Sequence, residues 1–483
     1  MGNPKDESTS ENEVPSSLND QTPAAKPAVK ALENGQGKDV DIAAQILADY
    51  GEEFDRSWTP EEEKRLIRKV DWMIVPILFV CATLSGLDKT AISAAAIYGI
   101  RQDLNLTGEQ YSWVGSAPFF GGLLFMGPSA YFIQRLSAVV YFSFAVLCWG
   151  VLACSMAACH SFEEQPRRNS IILNVVAPII NGFVAWVIGY YNGSYAKWKI
   201  VFLLVGCVTI AWSAVIFFFL PSNPLEAKRL SPRERYIIIQ RKASDNTGIE
   251  NKVFKPAQVK EAFADVKTWL IWFAIIALQV PNGGLTTFNT LIISGLGFNP
   301  LQTSLLAMPP GAMSTISGIV LSYIASTTRK YRTPIVAGSI LLPLFGALLC
   351  YNLPRDNLAG QLIGLYILYT YWAPYVTLVS VYQANIAGHT KKVTLYAWFY
   401  VAWAAGNIVG PQTFRQEQAP AYTGGTIAMI VCYVVAMICV LAYGALCAMS
   451  NRRRDAEANE QVVASQDWLD LTDKEYKGFK YTT

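Results

Sequence analysis

Asp88 and Lys89 are the only charged residues well inside any apolar segment of this 483-residue chain. An ionisable side chain near the centre of a bilayer costs roughly 2.5–3.5 kcal/mol, so two of them indicate a use for charge at that depth. Consecutive helical residues point about 100° apart, so these two cannot pair well with each other. Each needs its own partner, and no other segment interior offers a charge. The alternative interpretation is a buried packing pair with water.

A second group of candidates lies where prolines and glycines interrupt the later apolar segments. The sequence Pro-Asn-Gly-Gly at 281–284 predicts a break near the middle of the sixth segment, whose freed carbonyl groups must face protein or a cavity. Asn282 and Asn289 would then contact a ligand; the alternative is a kink that only sets helix shape. The candidates for helix breaking and gating are Pro281, Gly283, Gly284 and Pro310. Weaker candidates are Tyr375, Gln383, Tyr400 and Asn407 for ligand contact, and His389 for proton relay.

Eleven apolar segments of membrane length run through the chain, which is 52% hydrophobic and only 16% charged. A bilayer core about 30 Å thick needs roughly 20 apolar residues as helix, and these runs have about that length. The composition therefore predicts an all-α polytopic membrane protein with five segments before a polar stretch and six after it. To within a few residues, the segments are 72–100, 111–133, 139–158, 171–191, 198–220, 268–296, 301–325, 333–353, 360–388, 393–413 and 422–448.

The basic residues of the loops disagree with eleven simple crossings. If the N-terminus is inside and every segment crosses, eighteen Lys and Arg residues of the later loops and the tail fall outside. One additional crossing between Ala158 and Ile171 brings all eighteen inside, as the positive-inside rule requires. The same crossing places the glycosylation candidates Asn105 and Asn192 outside. Loss of one early segment would also restore parity and is the alternative, although losing 171–191 while keeping 198–220 is hard to justify on hydrophobicity.

These patterns divide the chain into five parts. Residues 1–58 form a disordered cytoplasmic tail, because they are polar and acidic with too few apolar side chains to bury. Residues 59–220 form an N-terminal bundle that is incomplete near 162/163, and 268–450 form a C-terminal six-helix bundle. Between and after them lie a cytoplasmic central loop, 221–267, and a cytoplasmic tail, 451–483. Capping boxes predict helix starts at Thr59 and Thr472.

The composition also excludes several classes of function. Eight of the nine cysteines lie inside apolar runs, where cysteine behaves as a small hydrophobic residue, and no CxxC pair occurs. Two histidines at segment edges cannot build a metal site with them. The sequence lacks the histidine cluster or acidic metal motif that a membrane enzyme would need. Nothing in it supports nucleic-acid binding.

Several stretches make the chain resemble a known family. They are 87–89 (Leu-Asp-Lys), 163–168, 218–224, 281–284, 297–303, 385–391 and 406–412. With these motifs the chain resembles the major facilitator superfamily and, within it, the fungal allantoate permease family of anion:cation symporters. The resemblance implies twelve helices in two six-helix bundles, a central cavity and alternating access.

The resemblance also assigns roles to the charged pair. Family members place a fourth helix just before the stretch that begins at Glu163, whereas here Phe162 runs straight into it. In the family that helix carries an arginine and a glutamate that face the cavity, and these are the partners that Asp88 and Lys89 lack. The resemblance makes Asp88 the candidate for proton coupling and Lys89 the candidate for contact with an anion.

The implied function is proton-coupled uptake of a small organic anion, such as allantoate, ureidosuccinate, nicotinate, pantothenate or a related carboxylate. A proton gradient takes the place of a cofactor, and the expected protein is a monomer in the plasma membrane with both termini cytoplasmic. Proton-driven efflux is one alternative. A membrane sensor, or a transport-deficient product of an incomplete gene model, is another.

Overall fold

The computed structural model describes residues 59–135, 138–156, 178–220, 255–328, 331–457, 472–476 and 479–483, with 230, 231, 233, 234 and 237. Within these residues the secondary structure is helical, without strands, so the all-α prediction is confirmed. The predicted disordered tail 1–58 and the predicted gap near 162/163 both lie outside the described residues. All eleven predicted segments fall on helices, the fourth of them described from residue 178.

The described residues group into two compact units. Residues 59–68 belong to the first with 230, 231, 233, 234 and 237, and the described residues within 69–222 and 255–483 belong to the second. In the first unit, helix α1 begins at Pro60 with the predicted capping box. The Glu62 amide donates to Thr59 Oγ1 and the Thr59 amide donates to Glu62 Oε2, both at 3.2 Å. Arg233 lies 3.4 Å from the Glu62 carboxylate in an exposed pair, which contributes little to stability.

The N-terminal half continues from α1 into the second unit. Its helices are α1 (Pro60–Ile97), α2 (Ile100–Asp103), α3 (Gly108–Arg135), α4 (Ala138–Met156), α5 (Pro178–Gly189) and α6 (Lys197–Phe219). The C-terminal half follows a short helix, α7 (Pro256–Ala264), within the predicted central loop. Its helices are α8 (Val266–Ser294), α9 (Pro300–Leu306), α10 (Pro309–Thr327), α11 (Arg332–Ser339), α12 (Leu341–Asn352), α13 (Leu358–Leu368), α14 (Trp372–Ala384), α15 (His389–Gln412) and α16 (Thr423–Glu457).

Among the described residues, six helical stretches are long and apolar enough to cross a membrane. They are Lys197–Phe219, Val266–Ser294, Pro300–Ala325, Arg332–Asn352, Leu358–Ala384 and Thr423–Ala456. Their outward faces carry large apolar side chains such as Phe218, Tyr323 and Ile438, which are more than half exposed in the protein and suit contact with lipid.

Helix α8 does not break where the proline and glycines predicted. It runs without interruption from Val266 to Ser294, with Pro281 inside it. The glycines serve close packing instead: a Cβ at Gly283 would lie 2.6 Å from the backbone oxygen of Asn407 on α15. At Pro310 the situation differs, because helix ends at Leu306 and begins again at Pro309. A gating role for any of these residues stays a prediction.

Helices α8 and α15 approach each other more closely than side chains would allow. A Cβ at Gly406 would lie 2.6 Å from Gln279 Cβ, and one at Gly410 would lie 2.3 Å from the Val280 carbonyl oxygen. Small residues spaced four apart let helix backbones meet inside a membrane, where apolar burial gives helices little reason to associate. Backbone proximity between these two helices therefore depends on glycine at 283, 406 and 410.

Helices α4 and α5 run in the same direction although they are consecutive described helices. Both are antiparallel to α6: Cys154 near the end of α4 lies 3.9 Å from Cys207, and Lys197 at the start of α6 donates to the Gly189 carbonyl at the end of α5, at 2.7 Å.

Gly410→Ala is expected to lower the melting temperature of the detergent-solubilised protein, because its Cβ would meet backbone atoms of α8. Overpacking of this kind typically costs about 1–3 kcal/mol. Gly318→Ala on α10 is the matched control, since no atom lies within 4 Å of the added carbon. Equal melting temperatures for the two variants would contradict the close approach.

Candidate functional site

A small pocket, which we call the cavity, lies between the two halves. Helices α1 and α5 line it from the N-terminal half, and α8 and α9 from the C-terminal half. Its lining residues are Thr90, Ser93, Ala94, Ile97, Gly182, Ala185, Thr286, Asn289, Thr290, Ser304, Ala307 and Tyr369. Hydroxyl and amide groups on an otherwise apolar wall are the usual lining of a site for a small polar molecule.

Asn289 is the cavity residue with an unmet hydrogen-bonding need. Its side chain is buried, and the Oδ1 atom has no hydrogen-bond partner in the structure. Leaving a buried acceptor unpaired costs roughly 1–3 kcal/mol, so a donor on a bound molecule would recover that energy. The prediction that Asn289 contacts a ligand is therefore compatible with its position in the cavity wall.

The charged pair lies on the helix that supplies one wall of this cavity. Asp88 and Lys89 fall within α1, directly before the lining residue Thr90. Their side chains lie outside the described part of the structure. The proposed roles of Asp88 and Lys89 stay predictions.

One end of the cavity is closed by hydrogen bonds between the halves. Ser93 Oγ lies 3.0 Å from Thr290 Oγ1, and Thr290 Oγ1 donates to the Ser93 carbonyl oxygen at 2.5 Å. Tyr111 on α3 donates to the Thr287 carbonyl oxygen at 2.8 Å. Ser116, also on α3, donates to the Ile408 carbonyl oxygen at 3.0 Å. We call this the sealed end; the loops 98–107, 190–196, 295–299 and 413–422 belong to it.

Asn282 and Asn407, both predicted as ligand contacts, meet each other rather than the cavity. Asn282 Nδ2 donates to Asn407 Oδ1 at 3.0 Å and to Gln279 Oε1 at 2.6 Å, and Tyr371 donates to Asn282 Oδ1 at 2.5 Å. Asn407 Nδ2 also donates to Gln279 Oε1, at 3.1 Å. All four side chains of this amide network are buried. The network supports packing of α8 against α15, and neither asparagine is among the cavity-lining residues.

The remaining predicted residues are scattered over the structure. The Tyr375 ring packs on Trp372, with ring centroids 5.2 Å apart, and does not line the cavity. His389 is the first residue of α15. Asn105 and Asn192 are exposed in loops of the sealed end, as glycosylation would require.

Sequence reasoning missed Gln279, Tyr371, Ser93 and Thr290. One signal was available: polar residues at 279, 282, 286 and 289 recur at intervals of three and four, so they share a face of α8. Nothing in the sequence indicates that Ser93 faces Thr290, because the two lie 197 positions apart. Within the described residues, no group of three or more His, Cys, Asp or Glu side chains could hold a metal ion.

The site's arrangement between two helical halves agrees with the comparison to known proteins. A model described as Major Facilitator Superfamily matches residues 163–411. The chain belongs to the major facilitator superfamily. It is a membrane transporter of that superfamily and not an enzyme, and the predicted kinship with fungal allantoate permease is confirmed.

Three comparisons define its surroundings within the superfamily. The chain is 71% identical to "MFS-type transporter cnsL" of Penicillium expansum, over 95% of this chain and 96% of that protein. It is 30% identical to "Allantoate permease" of Saccharomyces cerevisiae, over 95% and 94%. A bacterial homologue of the human lysosomal transporter Spinster, solved in an inward-facing and occupied conformation, matches with a TM-score of 0.54 at 15% identity, over 81% and 97% of the chains. The last similarity concerns the fold alone.

These alignments differ in how many of their positions face no residue of this chain. The alignment with the Schizosaccharomyces pombe transporter C757.13, 31% identical, has 495 positions but contains only 94% of this 483-residue chain, so about 40 positions face no residue here. The alignment with the Penicillium protein needs hardly any such gaps, with 464 positions for 95% of the chain. The shorter form is therefore shared by these two similar proteins. The family match itself begins at Glu163.

Replacing Asn282 and Asn289 separately is expected to give different effects on stability. Asn282→Ala removes the acceptor of the Tyr371 hydroxyl and the donor to Asn407 Oδ1, so unfolding should become easier by about 1–3 kcal/mol. Asn289→Ala removes an acceptor that is already unpaired and should leave the melting temperature nearly unchanged. Thermal unfolding in detergent measures both, and equal losses of stability would rule out the difference in their surroundings.

Proposed function

We propose that the protein is a proton-coupled transporter that takes up a small organic anion by alternating access. The observation that carries this proposal is the cavity between the halves, closed at one end by bonds that join α1 and α3 to α8 and α15. A site that is closed on one side can release a substrate to the other, and breaking the seal reverses the access. The name of the allantoate permease relative supports a small carboxylate as substrate.

The proposal divides the work among three groups. The amide of Asn289 and the hydroxyls around it bind and orient the substrate, and Lys89 holds its carboxylate. Asp88 binds the coupling proton, because burial in a bilayer favours the neutral form of a carboxyl group. With the termini in the cytoplasm of a plasma-membrane protein, the sealed end faces outward. The monomer suffices, since both halves belong to one chain.

A second candidate is a protein of this superfamily that does not transport. The observation that favours it is the sequence at 162/163, where Phe162 runs straight into the stretch that begins at Glu163 without a helix that could carry partners of Asp88 and Lys89. Genomic DNA around the codons for Phe162 and Glu163 distinguishes this candidate from a functioning transporter. An intron-like interval that encodes such a helix would mean that the chain is incomplete. The matching length of the 71% identical relative favours a chain that functions as it stands.

Asp88→Asn is expected to abolish accumulation of labelled carboxylates driven by a proton gradient, while exchange of labelled for unlabelled substrate continues. The amide keeps the shape of the side chain but cannot bind a transported proton. Uptake into yeast or proteoliposomes, with and without an imposed pH gradient, measures both. Asp356→Asn in the exposed loop between α12 and α13 is the control for loss of a negative charge. Undiminished gradient-driven accumulation in Asp88→Asn would exclude the coupling role. Loss of resistance to hydrophobic toxins on deletion, with no uptake phenotype, would favour efflux.

Cysteines at both Ser93 and Thr290 are expected to lock the sealed end. The two side-chain oxygens are 3.0 Å apart, so the sulfurs of Ser93→Cys/Thr290→Cys would lie within reach of a disulfide. Oxidation should stop uptake and reduction should restore it. Each single variant is the control, and it also accounts for the native pair Cys154 and Cys207. Full uptake by the oxidised, cross-linked protein would mean that the seal never opens during transport.

A further inference from the structure

The last residues of the chain are packed into the C-terminal half at the end opposite the seal. Residues 472–476 and 479–483, which we call the C-terminal strap, occupy a cleft between the ends of α7, α8, α14, α15 and α16. The predicted capping box is present, with the Glu475 amide donating to Thr472 Oγ1 at 3.2 Å, but the backbone forms a turn and not a helix. Thr472, Asp473 and Tyr481 are buried.

A buried ion cluster anchors the start of the strap. Lys391 Nζ on α15 lies 2.5 Å from Asp473 Oδ1 and 2.7 Å from Glu261 Oε1 on α7, and the Lys391 and Asp473 side chains are each only 3% exposed. Thr472 donates to the other oxygen of Glu261 at 2.8 Å. Removing one partner of such a pair leaves an uncompensated buried charge, which is strongly destabilising for the docked arrangement. The strap therefore joins α7 to α15 through charge.

Side-chain amides hold the backbone of the strap in a fixed register. Asn385, in the connection between α14 and α15, donates to the Thr482 carbonyl oxygen at 2.9 Å and accepts from the Thr482 amide at 2.6 Å. Asn451 on α16 brackets Tyr481 in the same way, at 2.8 and 2.9 Å. Two-point contacts of this kind fix which residue of the strap faces which helix.

Tyr481 connects the two groups of contacts. Its hydroxyl donates to Asp473 Oδ2 at 2.6 Å, and the ring lies under Lys267 of α8, whose Nζ is 3.5 Å from the ring centroid. Burial, together with the negative charge of Asp473, raises the pKa of the Tyr481 hydroxyl, so this group remains a donor at physiological pH. Arg454 of α16 donates to the backbone oxygens of Asp473 and Phe479.

We propose that the C-terminal strap is a conformational latch, which in its docked position holds the sealed-end-closed arrangement and on release lets the opposite end rearrange. This inference rests on the proposed alternating access. The strap ties the connection between α14 and α15 to α7, α8 and α16, so these helix ends cannot move separately while it is docked. Alternating access requires that end to close when the sealed end opens. A docked strap therefore opposes opening of the sealed end. The free energy needed for opening then includes the free energy of releasing the strap from its cleft.

The composition of the contacts suits a detachable part. An apolar segment of the same size would stabilise the C-terminal half as well as a buried ion pair does. Burying two charges costs free energy that the attraction between them only offsets. The strap instead depends on the Lys391–Asp473 pair, on amide brackets and on cation–ring contacts, all of which water can replace after release. Release of the strap would therefore expose no large apolar surface.

The test compares Asp473→Asn with Lys480→Gln in the full-length protein, each carrying a cysteine at Thr290 of the seal. Lys480 pairs with Asp455 at 3.0 Å on the exposed side of the strap, with the lysine side chain 72% exposed, so Lys480→Gln changes the charge without touching the cleft. The rate of alkylation at position 290, measured by mass spectrometry of the labelled peptide, reports opening of the seal. Trypsin cleavage after Lys474 reports release of the strap.

Asp473→Asn is expected to increase both rates, the alkylation rate by at least about fivefold, the lower range of coupling between distant sites. Lys480→Gln should leave both unchanged. Faster trypsin cleavage without faster alkylation would overturn the proposal, since the strap would then be only a staple. If Asp473→Asn does not fold, Tyr481→Phe decides in the same way, because it removes one bond to Asp473 and keeps the ring. Alkylation at position 290 can be measured without substrate and without a proton gradient. Absent uptake would therefore refute the proposed function without contradicting the proposal that the strap is a latch.

Discussion

The close approach of α8 and α15 is the contact on which the rest of the C-terminal half depends. In a membrane, helices gain little from burying apolar surface, because lipid is as apolar as a neighbouring helix. Glycines at 283, 406 and 410 let the two backbones meet, and this proximity brings Gln279, Asn282 and Asn407 within hydrogen-bonding distance. Their pairing satisfies both side-chain groups of Asn282 and of Asn407, while Gln279 Nε2 remains without a partner.

The cavity and its seal follow from one face of α8. Thr286, Asn289 and Thr290 lie on that face, and the first two leave polar groups toward the cavity while the third closes against Ser93. The part of α8 that precedes Thr286 carries Gln279 and Asn282 of the amide network. Polar residues of the same helix thus lie in three settings along its length: against α15, in the cavity wall, and against Ser93 of α1.

Much of the fold could be predicted from the sequence, because bilayer thickness and loop charge act on local stretches of chain. The segments fell on helices wherever the structure describes them. The break at Pro281 was wrong, because neighbouring helices accommodate a proline within a continuous helix. The pairing of Asn282 with Asn407 could not be predicted, since it joins residues more than a hundred positions apart; contact of either with a ligand stays a prediction. The polar sequence of the C-terminal tail does not indicate that the strap packs into a cleft of the C-terminal half.

The tight pairing of α8 and α15 makes the two helices a single rigid lever. Asn289 and Thr290 lie on one arm, and Ile408 and Gln412, which contact Ser116, lie on the other. A tilt of the lever caused at the cavity therefore strains the contacts with α1 and with α3 together. Bonds that share one rigid body are expected to break in concert, so opening at Ser93 and opening at Ser116 would be one event.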